Sequence, residues 1–457
     1  MENHKFNKTI LREYDIRGIV DKDLKLIDAL YLGKSFATFL KKNKLKNIII
    51  GYDGRNSSKK IENELVKGLF LKGVKIYRIG LVPTPLLYFS MHLKNIDSAI
   101  MVTGSHNPSN YNGFKMLLKN KSLIGKDILE IAKISSTGNF LKNSKGSIKK
   151  ISLIKNYLNF LVKTASINDK IKIAWDPGNG SSGKVINLLT KKIKGSHYLI
   201  NDKIDGNFPS HHPDPTVPKN LKQLQILVKK KKCDLGFAFD GDGDRLGVVD
   251  DKGNIIYADK VVAFLAKDVL KNKPKSKIIL DIKSSQTVFN EIKKLNGKPF
   301  FWKTGHSLIK KKMKETKAIF AGEMSGHIFF ADKYFGFDDA IYASIRFLNL
   351  FCSINKPLSN IFSSMDNSYS TPELRYNSTE TEKFLIVKKL KKILKKEKKR
   401  FISIDGVRYS NKNGWWLVRA SNTQNILVAR CESDTQKNLK KIKLDLKSML
   451  KKCNFKI

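Results

Sequence analysis

One hydroxyl and three carboxylates stand in settings that serve chemistry rather than packing. Ser105 lies in TGSHNP, Thr103 to Pro108, between a glycine and an imidazole. Asp240, Asp242 and Asp244 lie in DGDGDR, where two glycines separate them and Arg245 follows. Glycines let the backbone curl, so the three carboxylates converge instead of pointing to alternate faces. Like charges held that close need a cation. Oxygen ligands without His or Cys in the run select Mg²⁺, which is held by carboxylates together with a substrate phosphate. A calcium loop is disfavoured because the EF-hand spacing is absent, which leaves a solvated acidic turn as the alternative. Arg245 is suited to a planar, bidentate grip on a phosphoryl oxygen. Ser105 is the proposed reaction centre, although Gly, Ser, Asn and Pro are also ordinary turn residues.

The elements around these motifs repeat. The apolar run Ser98 to Val102 reads as a buried strand, so Ser105 sits on a strand-end loop, where open α/β sheets bind ligands. Asp234 to Phe239 is the matching strand before DGDGDR. Asn47 to Ile50 is a strand running into GYDGRNSS, where Asp53-Gly54 turns the chain and the serines are expected to cap a helix. Val74 to Ile79 is a further strand. Ile171 to Trp175 leads into DPGNGSSG, Asp176 to Gly183, which lacks a phosphate-binding spacing and reads as a tight structural turn. Lys277 to Ile282 is a strand with Lys283 at its end, and KTGHS (Lys303 to Ser307) and GEMSGH (Gly322 to His327) each follow an apolar strand pattern. Strands alternating with helices predict mostly parallel sheets with helices on both faces. Three such units are expected, over 1–150, 151–256 and 257–367, with the polar segment Gly138 to Ser147 near the first boundary. A fourth unit, 368–457, differs. It opens with a helix from Phe384 to Arg400 whose apolar positions are Phe384, Val387, Leu390 and Leu394. Two strands around Gly406 and Gly414, the RASNTQN segment (Arg419 to Asn425) and an amphipathic helix follow.

With 457 residues, 41% hydrophobic, the chain is long enough for about three or four cores. A net charge of +46 would ordinarily point to nucleic acid or an anionic membrane. Here lysines spread along the whole length beside abundant Asn and Ile, with none of the nucleic-acid-binding signatures, so a codon-level drift explains the charge better. No nucleic acid and no membrane is therefore expected as a partner. Cys233, Cys352, Cys431 and Cys453 form no CxxC pair, so neither a zinc site nor a disulfide framework is indicated. The N-terminus lacks a signal pattern and no run is long enough to span a bilayer, so a cytoplasmic protein is expected.

Taken together, these motifs resemble the α-D-phosphohexomutases, specifically the phosphomannomutase/phosphoglucomutase group, in the family's order over nearly the whole chain. TGSHNP is similar to the phosphoserine loop, DGDGDR to the magnesium loop, GEMSGH to the sugar-binding loop and RASNT to the phosphate-binding loop. The resemblance implies three topologically similar α/β domains and a C-terminal TATA-box-binding-protein-like α+β domain around a central cleft. It implies a phosphorylated Ser105 whose phosphate shares Mg²⁺ with Asp240, Asp242 and Asp244. Phosphate would pass to a hexose 1- or 6-phosphate, giving a hexose 1,6-bisphosphate that turns round in the cleft and also serves as activator. Lys115 of YNGFK would accept the hydroxyl proton, with His306 and Arg17 as rivals. Glu323 and Ser325 would bond sugar hydroxyls, and His327 and His306 would line the cleft. Arg419, Ser421, Asn422 and Thr423 would hold the unreacting phosphate, and Tyr14, Arg17 and Lys283 complete the substrate-binding set. A monomer is expected.

Phosphoglucosamine mutase is the alternative enzymatic reading, and those enzymes usually show SASHNP, GEQSGH and RPSGTEP at three of these loops. The departures from those patterns favour mannose or glucose phosphates. Tyr52 replaces a frequent arginine of the first-domain turn and Asn425 replaces the proline after the last loop, which bears on local geometry only.

Overall fold

The structure, a computed structural model, describes residues 2–119, 121–365, 368–421 and 425–455. Its first three sheets share one strand order. In each, three strands run parallel and a fourth turns back as a hairpin partner of the third, giving the spatial order fourth, third, first, second. In the first sheet these are Asn47–Tyr52, Lys75–Leu81, Ser98–Val102 and the antiparallel Tyr111–Leu118. In the second they are Lys172–Asp176, Ser196–Leu199, Leu235–Phe239 and Leu246–Asp250. In the third they are Lys277–Asp281, Lys298–Trp302, Phe320–Gly322 and Ile328–Phe330. TGSHNP, DGDGDR and GEMSGH therefore occupy one topological place, the connection from the third strand to the fourth.

Strand composition follows burial. Ile48 and Ile50 face a core made with Phe36 and Leu65, whereas Ile49 faces the opposite side, in a core that also holds Trp175, Phe264 and Phe347. The period of two sends alternate side chains to opposite faces, and a strand buried on both reads as continuous isoleucine. That second core runs through all three α/β units, so they pack as one body. The polar segment before Ser147 leads into a further strand of the first sheet, Ser147–Lys150, parallel to Lys75–Leu81.

The fourth unit is an antiparallel sheet with helices Glu380–Lys396 and Gln436–Lys452 packed on it. Along Gly414–Ala420 the alternation recurs: Trp416 and Val418 face these helices, while Trp415 and Leu417 face the core of the α/β units. The first helix begins before the expected Phe384, because Thr379 and Glu382 form a capping box that fixes its start. Its buried face is Ile386, Val387, Leu390 and Leu394, and Phe384 is 51% exposed, which corrects its assignment to the core side. Most of the helix's lysines are exposed as expected, but Lys383 is buried and donates to the Ser421 carbonyl at 2.7 Å. All four cysteines are free. No helix among the described residues is long and apolar enough to cross a membrane.

Candidate active site

Ser105 adopts the left-handed backbone conformation, φ 50°, and is 2% exposed. A non-glycine residue stays there only when its surroundings hold it. Asp53 and Arg55 supply the hold. Asp53 Oδ2 accepts the Thr103 hydroxyl at 2.7 Å and the Gly104 N–H at 3.2 Å. Arg55, 3% exposed, donates to the Ser105 carbonyl at 2.7 Å, the Asn107 carbonyl at 2.6 Å, the Tyr111 carbonyl at 3.1 Å and the Pro108 carbonyl. The GYDGR turn thus folds the serine loop from within. The expected capping by its serines does not occur: Ser57 makes no cap bond, and Ser58 gives its hydroxyl to Asp53.

From the first unit to the second, Ser105 Oγ donates to Asp240 Oδ2 at 3.0 Å. Asp240, Asp242 and Asp244 are fully buried, with one oxygen of each within 4.8 Å of the others. Gly243, φ 75°, makes the curl that L residues rarely adopt. Asp240 Oδ1 accepts the N–H groups of Asp244 and Arg245, at 3.0 and 3.1 Å. The DPGNGSSG turn braces the loop, since Ser181 donates its N–H and its hydroxyl to the Gly241 carbonyl, at 2.9 and 3.1 Å.

Lys115 Nζ lies 2.6 Å from Asp242 Oδ2 and 2.5 Å from Asp244 Oδ2. Burial alone would lower its pKa, but these two carboxylates outweigh burial and raise it well above the ordinary lysine value. Lys115 is therefore an ammonium here and a counter-ion to the acidic loop. This charge opposes the expected proton acceptance, because an ammonium has no lone pair to offer. Burial together with Asp244 and Asp242 pushes Asp240 well up, whereas for Asp242 the penalty of burial is exceeded by the attraction of Lys115. Lys115, and Arg245 Nε at 4.0 Å from Asp240 Oδ2, are two cations facing three carboxylates, and Asp242 Oδ1 and Asp244 Oδ1 are buried without hydrogen-bond partners. Such a donor set fits a hard divalent cation.

A chain of contacts leads from this centre to the remaining loops. Arg245 Nε donates to His327 Nε2 at 3.1 Å, joining the acidic loop to the GEMSGH hairpin. The His306 and His327 rings stack with centroids 5.3 Å apart, and burial, with Lys310, lowers His306 to about 4, leaving it neutral. Glu323 Oε1 accepts the Gly305 N–H at 2.6 Å, and burial raises its carboxyl. Ser325 is half-buried at the hairpin tip. Arg17 donates to Asn107 Oδ1 at 2.7 Å and pairs with Asp15 at 2.5 Å. Gly305 lies against the Tyr14 ring, where an added Cβ would come within 3.1 Å. Lys283 pairs with Glu373 at 3.2 Å, and Arg419 donates to Asp405 Oδ2 at 3.0 Å. The same Asp405 oxygen accepts the Thr304 N–H at 3.2 Å, which ties the fourth unit to the third. Ser421 is buried beside this edge, and Asn422 and Thr423 lie outside the described residues.

Four family models match the chain in succession: phosphoglucomutase/phosphomannomutase alpha/beta/alpha domain I over residues 8–142, domain II over 152–253, domain III over 257–368, and the C-terminal domain over 374–448. The chain belongs to the phosphoglucomutase/phosphomannomutase family. It is 39% identical to a phosphomannomutase/phosphoglucomutase of Pseudomonas aeruginosa, across 97% of this chain and 96% of the relative. It is 34% identical to a phosphomannomutase of Methanocaldococcus jannaschii, across 97% and 98%. A solved phosphoglucomutase/phosphomannomutase family protein of Burkholderia thailandensis superposes with a TM-score of 0.92 at 36% identity, covering 98% of both chains. An Aspergillus fumigatus N-acetylphosphoglucosamine mutase, solved in complex with glucose 1,6-bisphosphate, shares the fold at 12% identity, with a TM-score of 0.60, 99% of this chain and 97% of that one.

Three contacts of this family member's cleft escaped sequence reasoning. Arg55 was hidden in a stretch that reads as a turn. Thr84, whose hydroxyl bonds Asp242, follows a proline break that reads as a loop but opens the helix Thr84–Lys94. Asp338, beside His306 and His327, sits in GFDD, and adjacent acids with no metal-ligand spacing give no signal.

Proposed function

We propose that this chain is a phosphohexomutase, an isomerase that interconverts the 6- and 1-phosphates of mannose and glucose. The observation that carries the reading is the approach of Ser105 Oγ to the buried acidic loop, 3.0 Å from Asp240, at the meeting point of loops from the repeated units. Ser105 serves as the phosphoryl carrier. The Oγ–P bond breaks as the free hydroxyl of a hexose monophosphate, at C1 or C6, bonds the phosphorus and gives up its proton. The resulting hexose 1,6-bisphosphate reorients and returns its other phosphate to Ser105. Asp240, Asp242 and Asp244 would hold Mg²⁺, which supplies charge neutralisation to the transferring group.

The chain's own groups supply the rest. The left-handed turn held by Arg55 aims the Ser105 hydroxyl at the cleft rather than along the strand. Arg245 faces the same point from the acidic loop and neutralises phosphoryl oxygens; positioning and charge are the main demands of this transfer. Lys115 would take the hydroxyl proton only after its ammonium has given up a proton of its own, which the attraction of Asp242 and Asp244 opposes. Neutral His306 is the alternative acceptor. Glu323 and Ser325 bind sugar hydroxyls, Lys283, Tyr14 and Arg17 flank the substrate, and Arg419 with the 421–423 segment anchors the distal phosphate. The anchor must release, because the bisphosphate turns over between the two half-reactions.

Mannose and glucose phosphates are favoured over glucosamine phosphate by TGSHNP, GEMSGH and RASNT, each of which departs from the glucosamine-type loop. A coupled assay on the purified protein tests the reading. Turnover of mannose and glucose 1-phosphates, dependent on Mg²⁺ and stimulated by glucose 1,6-bisphosphate, is expected. Turnover of glucosamine 1-phosphate alone would overturn it.

A further inference from the structure

Asp338 belongs to none of the four motifs, yet it is fully buried and stands behind the site. Its position is fixed by its neighbours. Asp339 caps the helix Ala340–Cys352 through the Tyr342 N–H at 2.8 Å and accepts the phenols of Tyr157 at 2.9 Å and Tyr334 at 2.7 Å. Asp338 itself bridges to Phe329, on the hairpin strand that follows GEMSGH. One carboxylate oxygen, Oδ1, accepts Lys310 Nζ at 2.9 Å. The other, Oδ2, lies 3.2 Å from His306 Nδ1 and 3.1 Å from His327 Nδ1.

Chemistry at the far side of His327 decides where its proton sits. Arg245 Nε can only donate, so His327 Nε2, at 3.1 Å, must be the acceptor. A neutral imidazole then carries its proton on Nδ1, the nitrogen that faces Asp338 Oδ2 and, at 3.5 Å, Asp244 Oδ1. These Nδ1 contacts are short but off the hydrogen-bond line, and Nδ1, Asp338 Oδ2 and Asp244 Oδ1 are all buried without a hydrogen bond; the other neighbour of Asp338 Oδ2, His306 Nδ1, is itself approached by the Lys310 ammonium at 3.2 Å. Two oxygens placed so can only favour the Nδ1–H form, and a small ring rotation aligns the bond. Lys310 balances the charge that Asp338 adds beside the acidic loop.

We propose that Asp338 is a positioning residue that acts through His327 on Arg245. The carboxylate holds the Nδ1–H tautomer, the free Nε2 lone pair accepts from Arg245, and the guanidinium is thereby oriented toward the phosphoryl group. This rests on the reading of Arg245 as a phosphoryl clamp. Asn at 338 keeps the volume and removes the charge. In the full-length Asp338→Asn protein with Mg²⁺, kcat is expected to fall by roughly 10- to 100-fold while KM for glucose 1-phosphate stays within about twofold. In an Arg245→Ala background the same change is expected to cost less than about threefold, because the group it orients is gone. A wild-type kcat for Asp338→Asn, or losses that multiply fully in the double variant, overturns the proposal while leaving the mutase reading standing. Should Asp338→Asn fail to fold, long-range ¹⁵N–¹H spectra of the wild-type imidazoles decide. His327 protonated on Nδ1 supports the relay. His327 protonated on Nε2, or Nδ1 taken by a divalent ion bound with Asp244 and Asp338, overturns it.

Discussion

Ser105 and Asp240 lie in different units, 135 residues apart in sequence, yet the serine hydroxyl donates to the aspartate at 3.0 Å. Each residue sits on the connection between the third and fourth strands of its unit. The repeated topology therefore delivers a buried hydroxyl and an acidic loop to one place, and GEMSGH arrives from the third unit by the same route.

Because Ser105 is the hydroxyl that this topology aims at the cleft, Ser105→Ala is expected to lower kcat by about a thousandfold or more with the fold intact. Steady-state assays beside circular dichroism check this. Alanine in a left-handed turn costs some stability, so a modest drop in thermal midpoint is compatible with the account, but residual turnover near the wild-type rate is not.

Arg55 offers a stability prediction. Its guanidinium bonds four carbonyls of one loop. Arg55→Ala leaves those oxygens and Asp53 without their cation, a loss of about 3 kcal/mol or more. Denaturant unfolding of the first transition measures it, and an unchanged midpoint would mean that the serine loop keeps its shape without this guanidinium.

For Lys115 the expected readout is metal dependence. Lys115→Met strips Asp242 and Asp244 of their nearest ammonium, so the variant should melt below wild type in chelator and recover most of the difference in Mg²⁺. Paired thermal melts with and without the ion test this. Equal deficits in both would mean that lysine and metal do not share these carboxylates.

Much of this site is legible in sequence, and the reason differs by residue. DGDGDR announces itself because three carboxylates separated by single glycines leave only a bound cation or a solvated acidic turn as readings. The strand before Ser105 is readable because Ser98 to Val102 is buried on both faces and must be apolar. Phe384 misleads because, at about 100° per residue, it falls on the flank of the face that Ile386, Val387, Leu390 and Leu394 fill, and apolar spacing alone does not separate flank from core. Arg55, Thr84 and Asp338 are silent because their partners are distant in sequence: a buried arginine or carboxylate gains meaning only from what folding brings to it.

His92 carries a pH prediction away from the centre. Burial, with Lys314, depresses its pKa from 6.5 to about 4, and its ring stacks on Phe335 at 4.4 Å. A histidine depressed on folding stabilises the native state fully above 6.5, and that contribution is lost as pH falls from 6.5 toward 4. His92→Phe should flatten the stability profile across that window. An NMR titration of His92 with its midpoint near 6.5 would contradict the burial argument.

The central claim is that Ser105 alternately holds and releases the phosphoryl group. Incubating the full-length protein with glucose 1,6-bisphosphate and Mg²⁺, then mapping phosphate by peptide mass spectrometry, tests it most directly. The account predicts phosphate on Ser105, discharged when glucose 1-phosphate is added in excess. An active protein whose Ser105 peptide is never phosphorylated, or whose label sits on another residue and turns over there, would contradict it.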